Sequence, residues 1–166
     1  MMISISYGTL TVNQHQYILA VSQAGLCFVG SPDQTISELT TFLPDAQPNE
    51  NQTVVAPFVT ALQAYLTGKQ TTWTLPIDTT NGTAFQQTVW QALQTIPYGQ
   101  TTTYSALAAQ IGRPTAVRAV ASAVGRNPLL IVIPCHRVYR KDGKIGDYRG
   151  GLELKQALRL LEIQSK

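Results

Sequence analysis

Cys135 and His136 stand side by side in Pro134-Cys135-His136-Arg137-Val138, directly after the apolar run Leu129-Leu130-Ile131-Val132-Ile133. A thiol acts as a nucleophile in its thiolate form, and an adjacent base or positive charge lowers its pKa from about 8.5. His136 and Arg137 offer one neighbour of each kind. The apolar run reads as a buried strand that delivers three polar residues at its end. An inert cysteine sits more naturally inside such a run, as Cys27 does in Leu26-Cys27-Phe28-Val29. Strand residues alternate between faces, so His136 reaches Cys135 only if the chain leaves extended geometry there, or if a water bridges them. Pro134 ends any regular ladder at this point. Other uses of the pair fit less well. Zinc takes four ligands, or three and a water. Cys27, Cys135, His15 and His136 show neither C-x-x-C nor H-x-x-x-H spacing, so no metal site is expected. A Cys–His hydrolase usually draws its base from a distant segment, and the one remote histidine, His15, lies in a polar, hairpin-like stretch. A buried, unreactive Cys135 remains the plain alternative.

The elements that must position this segment can be read on either side of it. Tyr104, Leu107, Ala108 and Ile111 form one apolar face of a helix that Thr102 or Thr103 can cap and Gly112 closes. Arg113-Pro114 turns the chain, and Thr115 opens a second helix carrying Val117, Val120 and Val124, closed by Gly125. Two short helices on a tight turn have the shape of a helix-turn-helix, from which Arg118 and Arg126 would project toward a groove. Before them, Phe85, Val89 and Leu93 make a stripe that ends at Pro97-Tyr98-Gly99. After the Cys-His segment, Leu154, Ala157, Leu158 and Leu161 mark the apolar side of a final helix. The front of the chain reads differently. Residues 3–7, 17–21 and 26–29 look like short strands, Ile36, Leu39 and Phe42 or Leu43 recur at helical spacing, and 44–53 read as a polar loop. Pro57 falls where a first helical turn tolerates proline, and Phe58, Leu62 and Leu66 follow on one face. Nothing in residues 1–70 carries recognisable chemistry.

Charge separates the two parts more sharply than hydropathy does. Charged residues make up 13% of the 166-residue chain, about half the usual share. Residues 1–100 hold one basic residue against five acidic ones, a net of −4, and residues 101–166 hold eleven against four, a net of +7. A basic rear part of this size suits a polyanionic partner. The longest apolar run has five residues, far short of a membrane span, and no leader-like segment opens the chain. With two cysteines and no disulfide framework, a cytoplasmic protein with free thiols and no membrane partner is expected.

Pro134-Cys135-His136-Arg137-Val138 resembles the acceptor motif of the O6-alkylguanine-DNA alkyltransferases, the methylated-DNA–protein-cysteine methyltransferases. Ile96-Pro97-Tyr98-Gly99, the Tyr104 helix, Arg118-Ala119-Val120, Arg126-Asn127-Pro128 and Gly146-Asp147-Tyr148 follow the family's order and spacing from about residue 83 to 162. The resemblance implies that Cys135 accepts the alkyl group, that His136 draws its proton through a water, and that Glu162 orients His136. It implies that Asn127 braces the active-site turn and that Tyr104 donates to the guanine ring. Arg118 would fill the stack left by the extruded nucleotide, with Thr115, Ala119, Arg126 and Arg137 as further DNA contacts. Val138, Gly146, Tyr148 and Arg149 would line the substrate pocket. Arg149 departs from the serine of mammalian members and implies a tighter or differently shaped pocket. The non-catalytic branch of the family lacks the acceptor cysteine, so Cys135 argues against it.

The expectation is therefore an α+β protein. A small sheet-and-helix scaffold (1–80) precedes a mainly helical domain (81–166) with the helix-turn-helix and the active-site loop. Its partner is duplex DNA containing alkylated guanine, with O4-alkylthymine as a second candidate substrate, and it acts as a monomer without a cofactor. Alkyl transfer to Cys135 would be direct, irreversible and stoichiometric. The alternatives are a DNA-binding damage sensor with an unreactive Cys135 and a cytosolic Cys-His hydrolase.

Overall fold

Asn13 and Gln14, both at positive φ, form the two-residue turn that joins β1 (Ile3–Val12) to β2 (His15–Ser22). In the computed structural model, which describes residues 2–165, β3 (Gly25–Val29) pairs antiparallel with β2. A fourth strand, β4 (Ala46–Glu50), lies parallel to β1, giving the order β3-β2-β1-β4. β4 falls within the segment expected to be a loop. Its polarity misled: as an edge strand it buries only Ala46 fully, and Pro48 is tolerated at an edge.

The two sheet faces are covered by different helices. Ile5, Ala20 and Phe28 face Leu39 and the short helix α1 (Ser37–Phe42). Alternate residues face α2 (Gln52–Leu66), which packs on β1 and β2. The approach is close at Gly8, where a Cβ would collide with Val55 and Gln52. Asn51 caps α2 by accepting from Val54 N at 3.2 Å, so the helix starts earlier than expected. Pro57 consequently lies beyond its first turn, and Val55, Leu62, Tyr65 and Leu66 take the buried face while Phe58 is half-buried.

The structure divides into two compact units. One holds the chain through Asn81 together with Pro128–Val132, and the other holds Gly82–Asn127 and Ile133 onward. The chain thus returns to the first unit once, where Leu129 bridges Val29. The expected strand over 129–133 does not form. After that single bridge the backbone turns, with Ile131 at a φ of 75°. Leu129, Leu130, Ile131 and Ile133 are all buried and Val132 is half-buried, so the apolar run reflects burial of successive residues and not a pleat. Periodicity cannot separate those cases in a short run.

The second unit is built on helices. A reciprocal Thr83–Gln86 capping box opens α3 (Ala84–Leu93). Trp90 donates to Ala123 O at 2.8 Å and holds α3 against α5 (Val117–Gly125). Between them, Thr103 caps α4 (Tyr104–Gln110) by accepting from Ala106 N at 3.1 Å. α5 begins two residues later than expected. Ala116 is its N-cap, without a side-chain bond, because Arg113–Ala116 form a turn closed by Ala116 N donating to Arg113 O. Thr115 lies exposed within that turn. A two-residue parallel ladder joins β5 (Thr102–Thr103) to β6 (Val138–Tyr139). The chain ends in α6 (Leu152–Gln164).

Candidate active site

Pro134 is followed by a single 3₁₀ turn, Cys135–Arg137, which leads straight into β6. The tight turn removes the strand alternation that would have sent Cys135 and His136 to opposite faces. His136 is completely buried, and its Nε2 lies 2.7 Å from Glu162 Oε2 on α6. A carboxylate only accepts, so Nε2 carries the proton and Nδ1 keeps its lone pair. That Nδ1 is buried and has no partner among the described residues. Burial holds the His136 pKa below its ordinary value, and the Glu162 carboxylate only partly offsets this. The ring is therefore neutral, as a base must be.

Glu162 is itself enclosed. Arg137 Nε donates to its two oxygens at 2.9 and 3.1 Å, Arg137 Nη2 donates to Oε2 at 2.8 Å, and Gly99 N donates to Oε1 at 3.2 Å. Arg137 Nη1 also donates to Ile96 O at 2.7 Å, and the guanidinium lies over the Tyr98 ring. Ile96 through Gly99 is thus the backbone cradle of the ion pair. This corrects the expectation that Arg137 contacts DNA or activates the thiol. It is 7% exposed, and its charge is committed to Glu162.

Cys135 is almost fully buried, and its neighbours come from three segments. Asn127, just past the end of α5, donates from Nδ2 to Ile133 O at 2.8 Å and to Cys135 Sγ at 3.3 Å. Burial raises the thiol pKa, and Asn127, Arg149 and Lys155 pull against that rise. The resting group is a thiol that needs a base. Cys135 lines a cavity of about 510 Å³ together with Tyr104, Asn127, Gly146, Tyr148 and Arg149. The β5–β6 ladder places Tyr104, at the start of α4, beside the reactive turn. Burial and the nearby Cys135 and Asp147 keep its phenol protonated, with a raised pKa. Gly146 has a φ of 74°, the left-handed region that favours glycine, and lies in van der Waals reach of the Tyr104 phenol. Arg149 Nη2 donates to Asn127 O at 3.0 Å across the cavity wall. Val138 was expected in this wall, yet it is fully buried in β6 and absent from the lining. Among the described residues no group of three or more His, Cys, Asp or Glu gathers as metal ligands would.

The helix-turn-helix presents a separate surface. Thr115, Arg118, Ala119 and Arg126 are all exposed, while Val120, Ala123 and Val124 face inward. Ala121 and Gly125 lie on the cavity edge, so one helix serves both the outer face and the cavity.

The model of the family described as "6-O-methylguanine DNA methyltransferase, DNA binding domain" matches residues 84–164. The inducible methylated-DNA–protein-cysteine methyltransferase of Bacillus subtilis is 40% identical over 163 residues, which are 96% of this chain and 90% of that protein. The chain belongs to this methyltransferase family. It is also 42% identical to the bifunctional transcriptional activator/DNA repair enzyme Ada of Escherichia coli, covering 99% of this chain but only 47% of Ada. Mycobacterium tuberculosis OGT, solved in complex with DNA, superposes with a TM-score of 0.79 at 35% identity. The match covers 98% of this chain and 94% of that one.

Sequence reasoning missed one side chain in this family site. Lys155 is fully buried on α6, donates from Nζ to Val138 O at 2.7 Å and to Ile145 O, and lies over the Tyr139 ring. Its signal was the spacing of Lys155, Leu158 and Glu162, which form the buried face of α6. The expected apolar stripe holds only in part, since Ala157 is exposed and Leu154 and Leu161 are half-buried.

Proposed function

We propose that this protein repairs DNA by moving the alkyl group of O6-alkylguanine in a duplex onto Sγ of Cys135, once per molecule. The observation that carries the reading is the buried chain Arg137–Glu162–His136 set beside a buried thiol at a cavity of about 510 Å³, roomy enough for a purine. His136 Nδ1 takes the thiol proton through one water, and Glu162 stabilises the imidazolium that results. Sγ attacks the alkyl carbon, the carbon–O6 bond breaks, and its electron pair stays with the guanine. Tyr104, a protonated phenol, donates to the ring as that charge develops. Asn127 holds Sγ in the line of attack. Arg118 fills the vacated stack, because the target oxygen is unreachable inside the duplex. Thr115, Ala119 and Arg126 lie along the same exposed face of the helix-turn-helix and meet the backbone.

The division of labour is part of the same proposal: the first unit is scaffold, and the second binds DNA and carries the chemistry. A reducing, cytoplasmic setting suits a reaction that depends on a free thiol at Cys135. Among the described residues no helix is long and apolar enough to cross a membrane.

The thioether has no acidic proton and is a poor leaving group. The other thiol, Cys27, is buried in β3 with its pKa pushed up to about 12 by burial and by Asp78, so it offers no route to regeneration. Incubation with a duplex containing O6-methylguanine should convert one equivalent of the modified base per protein to guanine, which stays in the strand. Mass analysis should then find one added methyl group, on Cys135. Cys135→Ser should bind the duplex and transfer nothing. Turnover beyond one equivalent, or label on Cys27, would overturn the reading.

A further inference from the structure

Residues 140–144 read Arg140-Lys141-Asp142-Gly143-Lys144, three cations in five exposed positions. The segment has a defined shape. Arg140 N donates to Lys144 O, Gly143 N donates to Arg140 O, and Lys144 N donates to Asp142 Oδ1, each at 3.0 Å. Gly143 takes the left-handed conformation that this turn requires, with a φ of 85°. The ends of the segment are tied together from beneath, because the buried Lys155 ammonium donates to both Val138 O and Ile145 O. The loop is thus a clasped basic turn on the rim of the site.

A second cavity, of about 400 Å³, lies between this turn and the helix-turn-helix. It is lined by Tyr104, Ser105, Val117, Arg140, Lys141 and Asp142. Tyr104 and Arg140 also line the Cys135 cavity, so the two hollows share a wall. A nucleotide swung into the first cavity remains joined to the strand through its two phosphodiesters. A linkage that leaves the first cavity past Tyr104 and Arg140 runs along the shared wall. Its lining matches such a linkage: Ser105 offers a hydroxyl, Val117 an apolar surface for the sugar, and Arg140 and Lys141 two positive charges.

We propose that this second cavity seats the phosphodiester next to the extruded nucleotide, with Lys141 as its principal cation and Lys155 as the residue that holds the loop in place. Arg140 is paired with Asp142 at 3.3 Å, an exposed bridge that a phosphate can readily displace. The proposal rests on the alkyl-transfer reading above and adds to it a backbone contact outside the helix-turn-helix.

The test uses the full chain and a duplex with one O6-methylguanine. Lys141→Gln should lower the slope of log affinity against log salt by about one, as expected for one lost phosphate contact. Free O6-methylguanine, which has no phosphate, should react with the variant at the parent rate. Lys141→Arg should restore the slope. The phosphates immediately 5′ and 3′ of the modified nucleotide are then replaced, one at a time, by uncharged methylphosphonate. One replacement should weaken the parent by the same factor as Lys141→Gln and have no further effect on that variant. An unchanged salt slope would overturn the proposal. So would two methylphosphonates that both multiply with the mutation, or a variant equally impaired on the free base. Failure of the parent reading is distinguishable, because the parent protein would then acquire no methyl group from any duplex.

Discussion

Glu162 has no exposed surface, yet it collects His136, Arg137 and Gly99 as partners. Removing its charge while keeping its shape leaves the buried Arg137 guanidinium without a counter-ion, which typically costs about 3–5 kcal/mol. Glu162→Gln is therefore expected to lower the unfolding free energy by that order as well as slowing transfer. A urea titration in which the variant matches the parent to within about 1 kcal/mol would show that Glu162 does not stabilise the fold through Arg137. His136 makes a prediction of opposite character. Its pKa is lowered by burial, so the native ring stays neutral at pH values where an unfolded histidine, at about 6.5, takes a proton. The unfolded state then binds more protons than the native state. Stability from this group is present above about pH 6.5 and declines as the pH falls from there toward the lowered native value. Denaturation midpoints measured from pH 8 to 5 should show this fall in the parent and a shallower one in His136→Asn. The transfer rate should hold through pH 6.5, since the base is still neutral there.

The 3₁₀ turn and α5 show how elements set what these residues can do. α5 turns Val120, Ala123 and Val124 inward and leaves Arg118 exposed near its start. A side chain that stabilises the extruded nucleotide contributes a few kcal/mol at most, and only when there is a stack to leave. Arg118→Ala is expected to slow repair in a duplex by about tenfold or more and to leave reaction with free O6-methylguanine unchanged. Single-turnover rates on the two substrates decide it, and equal losses would reduce Arg118 to a structural residue.

On the scale of the whole molecule, the net +7 of residues 101–166 overstates the charge available to a polyanion. Arg137 and Lys155 are buried, and Arg159 lies 3.6 Å from Glu162. The exposed cations include Arg113, Arg118 and Arg126 on and around the helix-turn-helix, and Arg140, Lys141 and Lys144 on the clasped loop. Affinity for undamaged duplex should fall steeply with salt through these contacts. Arg126→Gln should flatten the slope of log affinity against log salt by about one and weaken all sequences alike. A slope that does not move would take Arg126 off the phosphate backbone.

Local chemistry was legible in the sequence. The adjacency of Cys135 and His136, the helix carrying Tyr104, the cap at Thr103 and the two-helix shape around Arg118 are set by neighbours within a few residues, and pattern and capping preferences report such interactions directly. Even the inward position of Glu162 could be inferred, although the face that buries it is Lys155-Leu158-Glu162 and not the leucine stripe. What the sequence left undecided depends on contacts between distant segments. The run 129–133 is apolar because all of it but Val132 is buried, and burial of successive residues leaves no period that distinguishes a strand from a turn. β4 is polar because it lies at a sheet edge, a position defined only once β1 is beside it. Arg137 reads as a free cation until Glu162 arrives from 25 residues away and Ile96 from 41, and Lys155 reads as a surface lysine until the Val138 and Ile145 carbonyls close over it. A buried charge is tolerated only where its partners converge, and that convergence is a property of the tertiary structure alone.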